Sequence, residues 1–475
     1  MVLMMSLAVV ILTGCKTTTP QKQEKEETSA QVTAIPSPTQ IPDVTPELTK
    51  APEVEETVEF TVESLKEFSK EMTEQLVDKN ATSIYECFAE EYQTELSADY
   101  LLDAYEQTVA PLGAYVSLNS IQSQKVNDYL VIGIVLEYEN NGLLVTYTFN
   151  SDVRLEGFYM RYQTLDTDEV ISDEYEEQEI QIGKGEYIID GILTLPKGTK
   201  NPPVIILVQG SGQSDMDETI GAVSNKPFKD IAHGLAKQGI ATIRYNKRYY
   251  QYMDQMPENM TVEDEILEDV SYAIDFAMQC KLINSNNIYI AGHSLGGILA
   301  PKIANDNIEV KGIIVLAGSA RKLEDIIYDQ VVILAEQEEI STEEKELYIN
   351  MVKANVELVK NLDEEDLASP ILGLTGYYWK ALNEIDTASI VQSLTVPMLF
   401  LQGSADFQIF ADKDFTLWKE LLIDNEHAEF IEYENLNHLF MPTTGIIGIE
   451  DYNTKNKVSD QVIEDIALWV NQNKN

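Results

Sequence analysis

From Ile180 onward the chain repeats one pattern: a short apolar run, a polar turn, then a helix-length segment with one apolar face. The run "PVIILVQG" is continuously apolar rather than alternating, and "IATIRYN", "NIYIAG", "VKGIIVLAG" and "VPMLFLQGS" are strand-like and mostly apolar. A strand that is apolar on both sides has to be covered on both faces, and crossover helices provide that cover. The intervals supply them in "FKDIAHGLAKQG", "VEDEILEDVSYAIDFAMQC", "GILAPKIAN" and "DQVIEDIALWVNQN". Residues 180–475 are therefore expected to form an α/β domain, a mostly parallel sheet with helices on both faces. The rhythm stops once, between Ala320 and Thr395, for a long acidic helical stretch. That stretch reads as a helical cap over about residues 321–395, inserted above the C-terminal edge of the sheet.

Upstream the periodicity is different. Residues 58–110 carry helical spacing, and from Ala114 the sequence alternates apolar and polar residues with Asn141-Gly142 between two strand-like runs. Helices followed by a meandering sheet predict a small α+β domain over residues 58–165. It contains no histidine, so it reads as a spacer or accessory module rather than a catalytic one. The acidic segment "DTDEVISDEYEEQE" that follows reads as a solvated connector. No histidine or Asp-x-Asp-x-Asp-Gly spacing accompanies it, so no metal is expected there.

The first residues, "MVLMMSLAVVILTGCK", hold an apolar run too short to span a bilayer but suited to the core of a signal peptide over residues 1–15. Its end, Leu12-Thr13-Gly14-Cys15, resembles the bacterial lipobox, which implies lipid modification of Cys15. No Lys or Arg precedes the run, where an export signal normally carries one, so the true start is expected a few residues upstream. Residues 16–57 are rich in Thr, Pro, Glu, Lys and Gln and read as a disordered tether. The expected location is the outer face of the bacterial cytoplasmic membrane, held by lipid, or the exterior. Of three cysteines, Cys87 and Cys280 read as buried free thiols. With 33 Lys+Arg against 80 Asp+Glu, the net charge of −47 repels nucleic acid and anionic lipid, so contact with a membrane is expected only through the anchor.

The stretch "NIYIAGHSLGGILAPKIA" places Gly292-x-Ser294-x-Gly296 between a strand and a helix, the setting of a nucleophile elbow. A serine hydroxyl needs a base, and the chain offers four histidines. His233 lies within a helix upstream, His293 adjoins the serine and is expected to point away, and His427 precedes the last strand. His438 follows that strand at the C-terminal edge and is the expected base. The acid should fall between nucleophile and base. Asp406, just after "VPMLFLQG", fits better than Asp412 or Asp414, which fall in a predicted helix. Oxyanion donors are expected from the amide of Leu295 and from Gly210 or Ser211 in "QGSGQSDMDE". The acidic residues Asp215, Asp217 and Glu218 of that loop read as bonding their own turn.

Taken together, "GHSLGG", "QGSGQSDMDE", "RYNKR", "LQGSAD" and "NLNHLF" resemble the α/β-hydrolase superfamily, and within it the EstD-type esterases, a branch similar to the serine aminopeptidase-like hydrolases. The N-terminal domain resembles the NTF2-like DUF3887 domain that precedes some exported hydrolases. The resemblance implies hydrolysis of a small-molecule carboxylic ester by Ser294, Asp406 and His438, with no metal or organic cofactor. The chain departs from that pattern at Gln213 and Met216, where the family tends to have Pro and Arg, and at Asn246 and Tyr249, where it tends to have Asp and Gly. Two other readings remain: an aminopeptidase or amidase using the same triad, with a cap carboxylate such as Glu364, Glu365 or Asp366 for the substrate ammonium, or a lipid-anchored, non-catalytic binding protein. Cap aromatics Tyr377, Tyr378 and Trp379 suit either an acyl pocket or core packing. Oligomeric state is not readable from the sequence.

Overall fold

The computed structural model describes residues 61–94, 96–165, 172–338 and 340–474. The expected signal, Cys15, the tether and the first part of the acidic connector lie outside the described residues.

The N-terminal unit packs three helices, α1 (Val62–Val77), α2 (Thr82–Cys87) and α3 (Ala98–Val109), on one face of a four-stranded antiparallel sheet. The strands β1 (Tyr115–Val126), β2 (Tyr129–Tyr138), β3 (Gly142–Phe149) and β4 (Leu155–Gln163) pair in sequence order. Alternation decides the buried face. Ile132, Ile134, Leu136 and Tyr138 of β2 and Leu143, Val145, Tyr147 and Phe149 of β3 face Leu65, Met72 and Leu76 of α1 in one core. Thr61 caps α1 by accepting the Ser64 amide at 3.1 Å.

The second unit is an α/β domain built on an eight-stranded sheet. Its strands are β5 (Tyr175–Lys184), β6 (Tyr187–Pro196), β7 (Val204–Val208), β8 (Ala241–Tyr245), β9 (Ile288–His293), β10 (Val310–Leu316), β13 (Met398–Gly403) and β14 (Ala428–Tyr433). Their spatial order is β14-β13-β10-β9-β7-β8-β6-β5. Six run parallel, while β6 pairs antiparallel with both β8 and β5. Double coverage explains the continuous apolar runs. Val204, Ile206 and Val208 enter one core with Ile288, Ile290, Ile313 and Val315, whereas Ile205 and Leu207 enter the opposite core with Tyr289, Ala291, Ile314 and Leu316. The helices α4 (Pro227–Lys237) and α11 (Asp460–Asn473) cover the second face; α5 (Glu268–Gln279) and α6 (Leu295–Asp306) cover the first.

The sheet begins earlier than expected. β5 starts at Tyr175, inside the segment read as a connector, because Tyr175 and Ile182 are buried while most of the residues between them face water at a charged sheet edge. Between β10 and β13 the cap holds α7 (Leu323–Gln337), α8 (Thr342–Lys360), the two-residue strands β11 (Pro370–Ile371) and β12 (Leu374–Thr375), α9 (Gly376–Asn383) and α10 (Thr387–Ser393). Ser341 and Glu344 form a capping box that starts α8. Tyr378 and Trp379 are fully buried, and the Trp379 indole donates to Ile371 O at 2.7 Å, so these two pack the cap core; Tyr377 is exposed.

The two units are joined by side chains. Asn141, at the β2–β3 turn, donates to Ala222 O at 2.7 Å and Ser224 Oγ at 2.8 Å, and Ala222 packs into the N-terminal core. Among the described residues no helix is long and apolar enough to cross a membrane.

Candidate active site

The turn from β9 into α6 forces Ser294 to φ 53° and ψ −116°, a region a non-glycine residue occupies only when its surroundings hold it there. The neighbouring glycines make that turn possible by close approach. A Cβ on Gly292 would sit 2.1 Å from Gly296 O, and one on Gly296 would sit 2.3 Å from Val208 O. The Ser294 amide donates to Leu316 O at 2.9 Å, tying the turn to the end of β10. Leu295 is the first residue of α6, so its amide has no carbonyl four residues back within the helix and faces outward at the positive end of the helix dipole.

Asp406 follows β13 and is held on every side. Its Oδ1 accepts the amides of Gln408 (2.8 Å) and Ile409 (2.9 Å), and its Oδ2 accepts Gln402 Nε2 (2.9 Å). The same Oδ2 lies 2.7 Å from His438 Nδ1. His438 sits on the loop after β14, in a turn tied by Asn437, whose Oδ1 accepts the Leu439 and Met441 amides while its Nδ2 donates to Asp451. A carboxylate can only accept from Nδ1, which places the imidazole proton there and leaves a lone pair on Nε2. That Nε2 is buried and has no hydrogen-bond partner among the described residues. It does not bond the Ser294 hydroxyl in this state; contacts of this kind tighten when substrate arrives.

The structure therefore pairs Asp406 with His438 and puts Ser294, Leu295 and the loop carrying Gly210 and Ser211 at the same sheet edge. A Cβ built on Gly210 would lie 3.1 Å from Ser294 Cβ. It corrects Gly210 as an oxyanion donor. The Gly210 amide already donates to Glu218 Oε1 at 2.7 Å, a charge-assisted bond in a buried site, so it is not available to a substrate oxygen. The Ser211 amide, next to Gly210, has no protein partner among the described residues and is free to donate. The competing carboxylate Asp414 is turned elsewhere, bonded to Ser319 Oγ (2.5 Å), the Phe410 amide (2.7 Å) and Arg321 (3.3 Å). His427 is exposed, and His233 is bonded to Tyr175 and Glu177.

Several residues at the site escaped the sequence reading. Lys247 and Glu265, each 1% exposed, form a 2.7 Å ion pair. Lys247 Nζ also donates to Gly210 O and, at 3.0 Å, to Gly212 O, while Glu265 accepts the Gly212 amide at 2.7 Å. This pair holds the loop at Gly210 and Gly212. Of the three acidic loop residues, Asp215 bonds its own turn, accepting from the amides of Asp217 and Thr219 and the Thr219 hydroxyl, and Glu218 accepts the loop's Gly210 amide. Asp217 pairs with Arg244 and Lys226. Glu218 bonds His293 as well as Gly210. His293 does not point away: its ring lies 4.6 Å from that of His438. The departures at Met216 and Asn246 meet in one contact, Asn246 Oδ1 accepting the Met216 amide at 2.9 Å. Among the described residues no cluster of three His, Cys, Asp or Glu side chains could hold a metal ion.

A groove of about 380 Å³ runs between the cap and α6, lined by residues including Val262, Lys302, Asn305 and Asp386. It does not reach Ser294, which is 8% exposed beneath its surrounding loops.

Comparison with known proteins bears on the same elements. The family described as "Serine aminopeptidase, S33" matches residues 222–442, and the one described as "Protein of unknown function (DUF3887)" matches residues 69–158. The esterase EstD of Thermotoga maritima is 30% identical over 402 residues, covering 83% of this chain and 92% of its own. The chain belongs to the EstD esterase family. Among solved structures, Est1E from Butyrivibrio proteoclasticus is 17% identical, with a TM-score of 0.41, over 62% of this chain and 99% of its own. A puromycin-hydrolyzing peptidase of Mycobacterium tuberculosis is 14% identical, with a TM-score of 0.42, over 75% of this chain and 48% of its own. The match to EstD spans both folded units, so in this member the N-terminal domain and the hydrolase domain are aligned with one relative rather than two.

Proposed function

We propose that the protein is a serine esterase that cleaves small-molecule carboxylic esters through an acyl-enzyme, with Ser294 as nucleophile, His438 as base and Asp406 as its orienting acid. The observation that carries this reading is the buried Asp406–His438 bond, which leaves a bare Nε2 at the sheet edge where the strained turn presents Ser294. As Ser294 Oγ bonds to the ester carbonyl carbon, its proton passes to Nε2, and Asp406 stabilises the imidazolium that results. The amides of Leu295 and Ser211 hold the oxyanion; each such donor contributes about 10²–10³-fold to the rate. His438 then protonates the departing alkoxide, and a water activated by the same nitrogen releases the acid and restores Ser294.

The aminopeptidase reading needs a cap carboxylate aimed at the nucleophile. Glu364 and Glu365 are exposed and Asp366 caps its own turn by accepting the Asp363 amide, so these three do not supply it. The test is turnover of p-nitrophenyl esters from acetate to decanoate beside aminoacyl p-nitroanilides, for the full chain and Ser294→Ala. Ester turnover lost in Ser294→Ala supports the proposal. Anilide turnover alone would replace it with a peptidase, and no turnover by folded protein would favour the binding-protein reading.

Attachment to the membrane by lipid at Cys15, with export ahead of it, belongs to the same proposal and rests on the Leu-Thr-Gly-Cys motif. Labelled palmitate should enter the wild-type chain made in a bacterial host and be absent from Cys15→Ala.

A further inference from the structure

The residue before the nucleophile makes two hydrogen bonds that the reaction above does not use. His293 is 5% exposed; its Nδ1 lies 3.0 Å from Glu218 Oε1, and its Nε2 lies 2.9 Å from the backbone carbonyl oxygen of His438. A carbonyl oxygen only accepts, so Nε2 carries a proton. An ionised Glu218 also only accepts, so Nδ1 carries one too, and His293 is an imidazolium in this arrangement. Burial opposes both charges. Even so, the facing Glu218 carboxylate raises His293 above the ordinary histidine value. In turn the His293 charge, the Gly210 amide and nearby Lys247 hold Glu218 below the ordinary glutamate value.

We propose that Glu218 and His293 form a positioning pair that sets the oxyanion loop and the base in register on either side of Ser294. One Glu218 oxygen takes both the Gly210 amide and His293, and His293 takes the backbone of His438. The placement of Ser211, next to Gly210, and of the His438 ring therefore depends on the same two side chains. The loop cannot slide toward the nucleophile to compensate, because Gly210 already lies against Ser294 and Glu218. An inert buried ion pair would affect stability alone. A pair that sets two catalytic groups in register affects the transition state, since a misplacement of about 1 Å can cost about 100-fold in rate.

This inference rests on the esterase reading, so the experiment first establishes that the full-length wild-type chain turns over a p-nitrophenyl ester and that Ser294→Ala does not. If either control fails, the esterase reading fails and the pair's proposed role falls with it. With the controls in place, Glu218→Ala, Glu218→Asp and Glu218→Gln are compared for kcat, KM and inhibition by a trifluoromethyl ketone of matching chain length. Concentrations are normalised by fluorophosphonate titration of Ser294. Expected for Glu218→Ala is a kcat lower by about 10–100-fold with KM within about threefold, and a ketone inhibition constant raised in step with the loss of kcat/KM. Glu218 Oε2 also lies 3.0 Å from His293 Nδ1, so Glu218→Gln can keep its oxygen on the Gly210 amide and donate from the amide nitrogen to a neutral His293, and it should recover most of that loss. Should Glu218→Ala fail to fold, Glu218→Asp decides. It keeps the buried charge, but one methylene shorter it cannot reach both partners, and it should lose about tenfold in kcat with the ketone following. Folded variants with wild-type kcat and ketone affinity, or a change confined to KM, would overturn the proposal.

Discussion

The two folded units bury their polar groups in different ways. Among the described residues of the N-terminal domain, the buried polar side chains are Ser69, Thr73 and Asn141, none of them charged, together with tyrosine hydroxyls paired to one another or to a hydroxyl: Tyr105 with Tyr138 at 2.6 Å and Thr73 with Tyr147 at 2.8 Å. The hydrolase domain buries charge. Lys247–Glu265, Arg248–Asp269, Arg244–Asp217, His293–Glu218 and His438–Asp406 all have both partners largely out of water. Buried charge is costly unless well paired, and replacing a pair with apolar residues often leaves stability unharmed. Two of these pairs, Lys247–Glu265 and His293–Glu218, bond the backbone of Gly210, Gly212 or His438, which points to a task beyond stability, holding irregular backbone around Ser294.

The sharpest way to break this comparison is to remove charge where it is expected to act on chemistry. Asp406→Asn preserves the shape of the side chain but offers His438 Nδ1 an amide in place of a carboxylate, which favours the wrong tautomer. By analogy with other triads, kcat should fall about 10⁴-fold. Circular dichroism should stay that of the folded chain, because the amides of Gln408 and Ile409 still find an oxygen, while melting should fall modestly because the new amide nitrogen faces the Gln402 donor. A wild-type kcat in the folded variant would mean that Asp406 is not the acid, and Asp414 would not rescue the assignment, since it faces Ser319 and Arg321.

The Lys247–Glu265 pair sharpens the contrast by separating stability from function. Lys247→Met or Glu265→Leu alone strands a buried charge and should cost about 3–5 kcal/mol in urea unfolding. The double variant should regain most of that, since two apolar side chains fit a core that already contains Ile266 and Val270. Ester turnover should stay low in the double variant, because the Gly212 amide and the carbonyls of Gly210 and Gly212 lose their partners. Recovery of both stability and activity would reduce the pair to ordinary packing.

How much of this could be read beforehand depended on whether a residue announces itself through its neighbours in sequence. The doubly covered sheet was legible because Val204, Ile205, Ile206, Leu207 and Val208 are all apolar, and only a strand between two helix layers needs that. Ser294, Asp406 and His438 were legible as strand-end residues because each follows a recognisable strand. Glu265 was not, since it stands among Asp264, Glu268 and Asp269 in what looks like the solvated face of a helix; its inward direction is set by a π-helical turn over Glu263–Leu267 that no periodicity reveals. Glu218 was hidden in the same way among Asp215 and Asp217: three carboxylates in one loop go to three different partners. The amide of Gly210 was misassigned because its partner lies eight residues on, and loop geometry decides that contact, not residue type. The start of β5 was missed because an edge strand facing water has the composition of a linker.

Outside the catalytic edge the charged network should show itself in acid. Burial alone would raise the Glu177 carboxyl, but the hydrogen bond from His233 and the charge of Arg244 outweigh it and hold the group at about 2, against an ordinary 4.5. A carboxylate held low stabilises the fold fully above its unfolded value, and that contribution is lost as pH falls from about 4.5 toward 2. Glu177 lies on an exposed edge strand where solvent screens the charges, so the loss should amount to about 1–2 kcal/mol. Glu177→Gln should be less stable than wild type at pH 7 and should unfold with a flatter pH dependence between 4.5 and 2, measured by denaturant midpoints. An unchanged acid slope would place the pH sensitivity elsewhere.

The smallest expected effect belongs to the neutral core, and its asymmetry tests how that core is wired. Thr73 Oγ1 donates to Ser69 O at 2.8 Å, so in its 2.8 Å contact with Tyr147 the phenol must be the donor. Tyr147→Phe removes that donor and leaves the threonine hydroxyl bonded to Ser69, at a cost of about 1 kcal/mol or less. Thr73→Val instead strands a fully buried phenol with nothing to accept its proton, which should cost about 1–3 kcal/mol. The double variant should then be more stable than Thr73→Val alone, because the orphaned hydroxyl is gone. None of the three should alter kcat, since neither residue reaches the Asn141 contact or the loop that carries Ser211. If Thr73→Val lowered ester turnover as well as the melting temperature, the neutral core would be coupled to the charged one after all. The contact to examine next would be Asn141 with Ala222 and Ser224, where the N-terminal domain meets the segment leading out of the oxyanion loop.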